Sequence, residues 1–274
     1  MLARVSHRLQ SSTAAATLAF ALMTLGRTDP ANAVVQDEIQ VYTDDINKPG
    51  EYGLEIHTNY TPSGLGPSYR GEVPSNHGIR LTPEFTYGFS RDWEGGLYLP
   101  LLQLDGQGDF HVAGAKLRLK YLPFQLGDSG EGWYGGANAE LSRVGRRFSE
   151  SRWQSELRPI IGYQAAGWHF AFNPIMGWDL SDGRQDIEPT FVPSVKLVKE
   201  VWKGISLGAE YYSDMGKIGH VLPWNQQDNR LYAVMDYDMA PLVFNFGVGR
   251  GITDASDKWT VKAIIEVPLQ PKAK

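Results

Sequence analysis

Cysteine is absent from all 274 residues, so neither a disulfide framework nor a thiolate metal site holds this chain together. An excess of positive charge is also missing. The formal net charge is -5, which leaves no electrostatic footprint for nucleic acid. Beyond residue 33 there is no apolar run of about 18 residues, which excludes a membrane helix from that part of the chain. Catalytic spacings are lacking as well: no GxSxG and no HExxH occur. The stretch GVGRG (Gly247 to Gly251) is an incomplete dinucleotide pattern with no helix after it, and its glycines ease strand curvature or make room inside a wall. No repeat of solenoid or propeller period is present. Nothing in the sequence calls for a cofactor or a metal.

What is present begins with a leader. Arg4 and Arg8 precede an uncharged, largely apolar stretch from Thr13 to Leu25, and Ala31-Asn32-Ala33 supplies small residues at a cleavage position. This order reads as a secretory signal peptide over residues 1–33. Residues 34–50, VVQDEIQVYTDDINKPG, follow as a polar arm on the periplasmic side, placed to fold into a lumen as a partial plug.

The rest of the chain alternates. In WHFAFNPIMGWDL the positions Trp168, Phe170, Phe172, Pro174, Met176, Trp178 and Leu180 share one face. In IRLTPEFTYGF, Ile79, Leu81, Pro83, Phe85, Tyr87 and Phe89 stand opposite Arg80, Thr82, Glu84 and Thr86. In HVAGAKLRLKY, Ala113, Ala115, Leu117, Leu119 and Tyr121 stand opposite Lys116, Arg118 and Lys120. A period of two is a strand signal. Twelve such segments are expected: 51–60, 79–89, 93–102, 111–122, 133–143, 153–163, 168–180, 188–199, 205–214, 229–238, 242–250 and 258–269. PSVKLVKEVWKG also fits a helical stripe. Most segments have the roughly 9–11 residues of a tilted membrane strand, where soluble strands usually have about 5–6.

The connections alternate too. SRD, QAAG and MAP are short, whereas those on the opposite side are longer; PFQLGDSGEG (Pro123 to Gly132) is the exception. Short turns at one end and long loops at the other mark a barrel whose turns face the periplasm. Aromatic residues gather near both strand ends. Tyr52, Phe89, Trp93, Tyr121, Trp133, Tyr163, Trp168 and Tyr237 lie at the turn end, and Tyr60, Trp153, Trp178 and Trp259 at the loop end. Two girdles at the lipid–water boundaries are expected of such a wall. The fold class is therefore all-β: one antiparallel transmembrane β-barrel, most simply of twelve strands, over residues 51–269. A tail follows at 270–274.

The inward positions carry charge of both signs: Glu55, Glu84, Glu94, Glu140, Glu156, Asp179, Glu210, Asp214, Asp236 and Glu266 against Arg80, Lys116, Arg118, Lys120, Arg158, Lys196, Arg230 and Lys262. A dry core does not accept so many ions, but a wet lumen does. Glu140 is a candidate partner for Arg158 or Lys116. The leading functional reading is a narrow passive channel or transporter for small solutes. Glu84, Lys116, Arg118, Glu140, Glu156, Arg158, Glu210 and Arg230 would line its constriction and set the field there. Near balance of the two signs argues against a channel devoted to acidic sugars. The alternative is a closed ion-pair network, which makes a plugged structural or surface-display barrel. A lipid hydrolase is a third reading: Ser142 or Ser155 with His169 is the only pairing to consider, and no spacing demands it.

Two loops invite a ligand. DGQGD (Asp105 to Asp109) suits calcium or an ordinary turn. RRFSESR offers Arg146, Arg147 and Arg152 to lipopolysaccharide phosphates, or is a solvated loop.

With these features the sequence resembles the Gram-negative outer-membrane β-barrel proteins of the small twelve-stranded type, from about Glu51 to Leu269. More loosely, it is similar to putative channels associated with the degradation of aromatic compounds. The resemblance implies location in the outer membrane, contact with its lipid and lipopolysaccharide, and insertion by the barrel-assembly machinery. Such barrels often end on an aromatic residue. This chain departs from that, ending its last strand on IIEVPL before QPKAK, which leaves Leu269 as the terminal apolar residue.

Overall fold

The computed structural model describes residues 38–185, 187–239 and 242–269. The leader, the first four residues of the arm and the tail lie outside the described residues. Twelve long strands follow in order: β1 (Tyr52–Ser63), β2 (Ile79–Gly88), β3 (Trp93–Leu104), β4 (Phe110–Phe124), β5 (Gly132–Val144), β6 (Trp153–Ala165), β7 (Trp168–Asp179), β8 (Thr190–Trp202), β9 (Ile205–Asp214), β10 (Asp228–Met239), β11 (Leu242–Gly251) and β12 (Trp259–Pro268). Each pairs antiparallel with its sequence neighbour, and β12 returns to β1 with Leu54 opposite Val267 and Ile56 opposite Ile265. The sheet therefore closes and leaves no edge among these strands. Residues 190–202, which also fitted a helical stripe, form a strand. It is paired on both sides, so its period of two prevails once neighbours exist to satisfy the backbone. Two residue pairs, Gly216–Lys217 and His220–Val221, add a small ladder inside the β9–β10 loop.

The alternation settles which face meets which solvent. Glu84 is 0% exposed and its neighbour Phe85 is 47% exposed. Leu117, Leu119 and Leu157 are likewise exposed, whereas Lys116, Arg118 and Arg158 are buried. This inversion of the usual soluble pattern is what a wall between lipid and a polar lumen requires. One face assignment needs correction. Ala113 points inward and Val112 outward, because Leu101 is opposite Gly114 while Leu102 is opposite Val112. A bulge therefore takes up one residue in β4, and a slip of one residue exchanges faces.

The aromatic girdles are built from cross-strand pairs. At the turn end Trp93 stacks on Tyr121 at 4.3 Å, and Trp133 meets Tyr163 at 5.0 Å. At the loop end Arg143 lies over Trp153 and Arg250 over Trp259. The turn between β6 and β7 is Ala166–Gly167, both at positive φ (49° and 74°), the twist that two-residue hairpins need.

Candidate functional site in the charged lumen

Residues 38–47 run inside the barrel, and residues 48–50 emerge at the turn end. Their backbone is held by side chains from around the wall. The Tyr42 amide donates to Asn173 Oδ1 (2.7 Å) and the Asn173 amide donates back to the Tyr42 carbonyl (3.1 Å). One asparagine thus takes the place of a strand neighbour. Lys262 donates to the carbonyl of Ile39 (2.9 Å) and Arg158 to that of Gln40 (3.1 Å). Nearer the turn end, the Asn47 amide donates to Glu94 (2.7 Å), the Asn47 side chain to Thr86 (2.7 Å), and Lys120 to the carbonyl of Asp45.

Tyr42 is the centre of this plug. Its ring faces three cations, with Arg158 at 4.4 Å, Lys120 at 5.2 Å and Arg118 at 5.5 Å from the centroid. Its hydroxyl lies 2.7 Å from that of Tyr98 and donates to Glu140 at 3.3 Å. Of these cations Lys120 is held by the Asp45 carbonyl, whereas the two arginines each meet carboxylates. Arg118 pairs with Glu84 (2.5 Å) and Glu94 (2.7 Å). Lys116 pairs with Glu140 (3.0 Å) and with Glu38 of the plug (3.4 Å). Arg158 pairs with Glu156 (2.8 Å) and also reaches Glu38 (3.6 Å). Glu210 takes Lys262 and, at 3.7 Å, Lys196, whose second partner is Asp236 (2.7 Å). Buried ions persist only when paired and hydrogen-bonded in this way.

Seven of the eight residues chosen from the sequence thus surround the plug: Glu84, Lys116, Arg118, Glu140, Glu156, Arg158 and Glu210. Arg230 sits nearer the loop end, paired with Asp228 (2.6 Å) and Asp257 (3.4 Å). Lys116 takes Glu140, one of the two pairings considered. Arg158 does not, because the register sets Asn138 opposite Arg158 and Glu156 opposite Glu140. Sequence reasoning passed over Glu38, Tyr42 and Tyr98. The alternation of Glu38, Gln40 and Tyr42 with Ile39, Val41 and Thr43 was the available signal.

Two carboxylates of the plug differ in character. Burial acts to raise the Glu38 carboxyl, but Lys116 and Arg158 outweigh it and hold the group below the usual carboxylate range. Burial, helped by Asp45, pushes Asp44 up to about 6. Cavities flank the plug. One of about 90 Å³ is lined by Glu38, Arg158, Ile175, Val192 and Arg230, and one of about 180 Å³ by Asp45, Asn47, Lys120 and Glu266. Glu55, His57 and Glu84 bring ligand atoms within 4.8 Å of one another. Glu84 already balances Arg118 and accepts from His57, so this trio fits an internal ion-pair network better than a cation site.

The other sequence candidates separate. Ser142 bonds the Gln154 carbonyl near the loop end, while His169 bonds Tyr134 (2.6 Å) near the turn end. Ser142 is eight positions along β5 from Tyr134, about 27 Å of strand. Ser155 is opposite Trp178 on the outer face. In DGQGD, Asp105 caps the amides of Gln107 and Asp109 (both 2.9 Å) and meets His111 (2.9 Å), which is an ordinary turn. These contacts hold the Asp105 carboxyl down to about 2, with the His111 hydrogen bond the largest cause.

No protein-family model matches the sequence, and no curated protein matches it. Among solved structures, an outer membrane channel from Pseudomonas putida F1 superposes with a TM-score of 0.56 at 11% identity, over 84% of this chain and 99% of that one. The NanC porin superposes with a TM-score of 0.50 at 11% identity, over 80% of this chain and 100% of that one. A closed ring of twelve antiparallel strands is thus the common fold, and the chain has the fold of the Gram-negative outer-membrane β-barrel channels.

Proposed function

We propose that this protein is an outer-membrane channel for passive movement of small solutes, held shut by its own N-terminal segment. One observation carries the reading. The lumen is filled at the level of Tyr42 by residues that belong to no strand, while cavities remain on both sides of them, a largely apolar one beside Ile175 and Val192 and a polar one beside Asp45 and Lys120. A purely structural barrel can fill its interior with wall side chains alone. Here the obstruction is a separate stretch of chain, held by hydrogen bonds and ion pairs that can exchange for water. Glu84, Lys116, Arg118, Glu140, Glu156, Arg158 and Glu210 would then line the constriction, with Arg230 toward the mouth. Both signs are present, so the field would be local and any ion preference weak.

Planar-bilayer conductance tests this. The full mature chain is expected to give small, intermittent steps, and a variant lacking residues 34–49 larger and steadier ones. A deletion variant that is folded by heat-modifiable gel mobility yet silent would overturn the reading.

A second reading has its own support. Pro174 of β7 stands opposite Pro193 of β8. The β6–β7 ladder breaks between Leu157–Met176 and Ile161–Phe172, where Pro159 falls opposite Pro174. Three adjacent strands thus lack an amide donor at one height. Ile175 and Val192, beside the row, line the smaller cavity. Such a wall suits a sideways path for an apolar solute into the bilayer. Replacing Pro174 and Pro193 together by valine is expected to slow entry of an apolar dye into vesicles and leave ion conductance unchanged.

A further inference from the structure

The basic hairpin at the loop end is not used by the channel reading. Residues 145–152 join β5 to β6 and carry Arg146, Arg147 and Arg152, and Arg143 stands just before them at the end of β5. Arg184, from the β7–β8 connection, pairs with Glu150 at 2.5 Å. In a chain of net charge -5, five arginines meet two acids, Glu150 and Asp182, within residues 143–152 and 181–184. Asp182 is strained into positive φ (64°) and acts as a clamp: it accepts Arg146 at 2.6 Å, Arg152 at 2.9 Å and the Arg152 amide at 2.8 Å. The two guanidiniums are thus fixed in place, and one carboxylate cannot neutralise both. Arg143 differs from them. It is on the outer face of β5 beside exposed Leu141, lies 5.9 Å over the Trp153 ring, and meets no carboxylate among the described residues. Arg147 is also exposed, with His111 at 3.3 Å as its side-chain contact.

We infer that this rim binds the phosphorylated headgroup of an acylated glycolipid in the outer leaflet. Charge complementarity and position both point to that occupant. A phosphate suits a fork of guanidinium donors. The acyl chains of the same molecule would cover the apolar wall below, along Leu117, Leu141 and Leu157. A free anion would have no use for Arg143, which is turned toward lipid and anchored on a girdle tryptophan. The corresponding arginine on the far side of the barrel is Arg250 over Trp259 at 5.3 Å. It lies on β11, six strands from β5, and serves as an internal control. The inference rests on the outer-membrane placement proposed above, but not on the lumen being a conduit.

The test is binding of fluorescent diphosphoryl lipid A to the full mature barrel refolded in neutral detergent. Saturable binding is expected. Dephosphorylated lipid A should bind at least about tenfold more weakly, and Arg143→Gln with Arg147→Gln should cost about tenfold for the diphosphoryl form. Arg250→Gln should bind as the parent does. Equal binding of both lipids would mean adsorption to the apolar wall and would overturn the inference. So would unchanged binding by the double variant, once heat-modifiable mobility shows it folded. Conductance of the same preparations is read separately: silence there counts against the channel and leaves the lipid result standing.

Discussion

Tyr42 joins the plug to the wall through one ring and one hydroxyl. Removing an aromatic side chain from such packing costs about 3–5 kcal/mol, and here the loss falls on plug docking. Tyr42→Ala is therefore expected to raise open probability in planar bilayers and expose the arm to protease, with the barrel's own heat-modifiable mobility unchanged. Arg118 is different, because it serves the wall. Arg118→Met leaves Glu84 and Glu94 without their cation. Stranding buried carboxylates costs about 3–5 kcal/mol, to be read from urea unfolding in lipid vesicles. Neutralising both acids as well, with Glu84→Gln and Glu94→Gln, should recover most of it. Asp44 gives the plug a pH dependence. Burial raises its pKa to about 6 from an ordinary 3.8. A carboxyl raised on docking contributes stability that is fully present below about 3.8 and is lost as pH rises through about 6. Channel opening should therefore increase between pH 4 and 7, and Asp44→Asn should flatten that rise; an unchanged slope in the variant would remove Asp44 as its cause.

The strands show how glycine and tyrosine divide one space. Tyr134 is opposite Gly162 and Tyr232 opposite Gly249, and a Cβ on either glycine would come within about 2 Å of the facing ring, at 1.9 and 2.2 Å. The rings lie flat across the neighbouring strand where it has no side chain. Gly162→Ala and Gly249→Ala are expected to cost about 1–3 kcal/mol each by overpacking, measured as a lower urea midpoint in the same vesicle assay. This is the room that the glycines of GVGRG were expected to provide. At the loops, Asp105 carries the turn between β3 and β4. Its lowered pKa means that the turn's stabilisation is present above about 3.8 and fades as pH falls toward about 2. Protection factors for amide exchange at Gln107 and Asp109 should fall over that range in the parent, and be low at every pH in Asp105→Ala.

At the scale of the whole molecule, the sequence determined the strands, their faces and the two girdles. The reason is physical: a wall between lipid and water must repeat every second residue, and each chain position obeys that rule without knowing its partners. Trp168 to Trp178 and Ile79 to Phe89 carry it almost without exception. Where the backbone slips, the rule alone misleads, and Ala113 changes face at a bulge visible only in the β3–β4 register. The charged residues were legible as a set but only in part as pairs: Lys116 meets Glu140 as considered. Arg158 meets Glu38 from the arm, 120 positions away in the chain, instead of Glu140. Only closure of the barrel brings those groups together, since a lumen has no sequence period of its own. The same closure gave residues 38–47 a lumen to plug, while pairing of neighbouring strands set three prolines side by side.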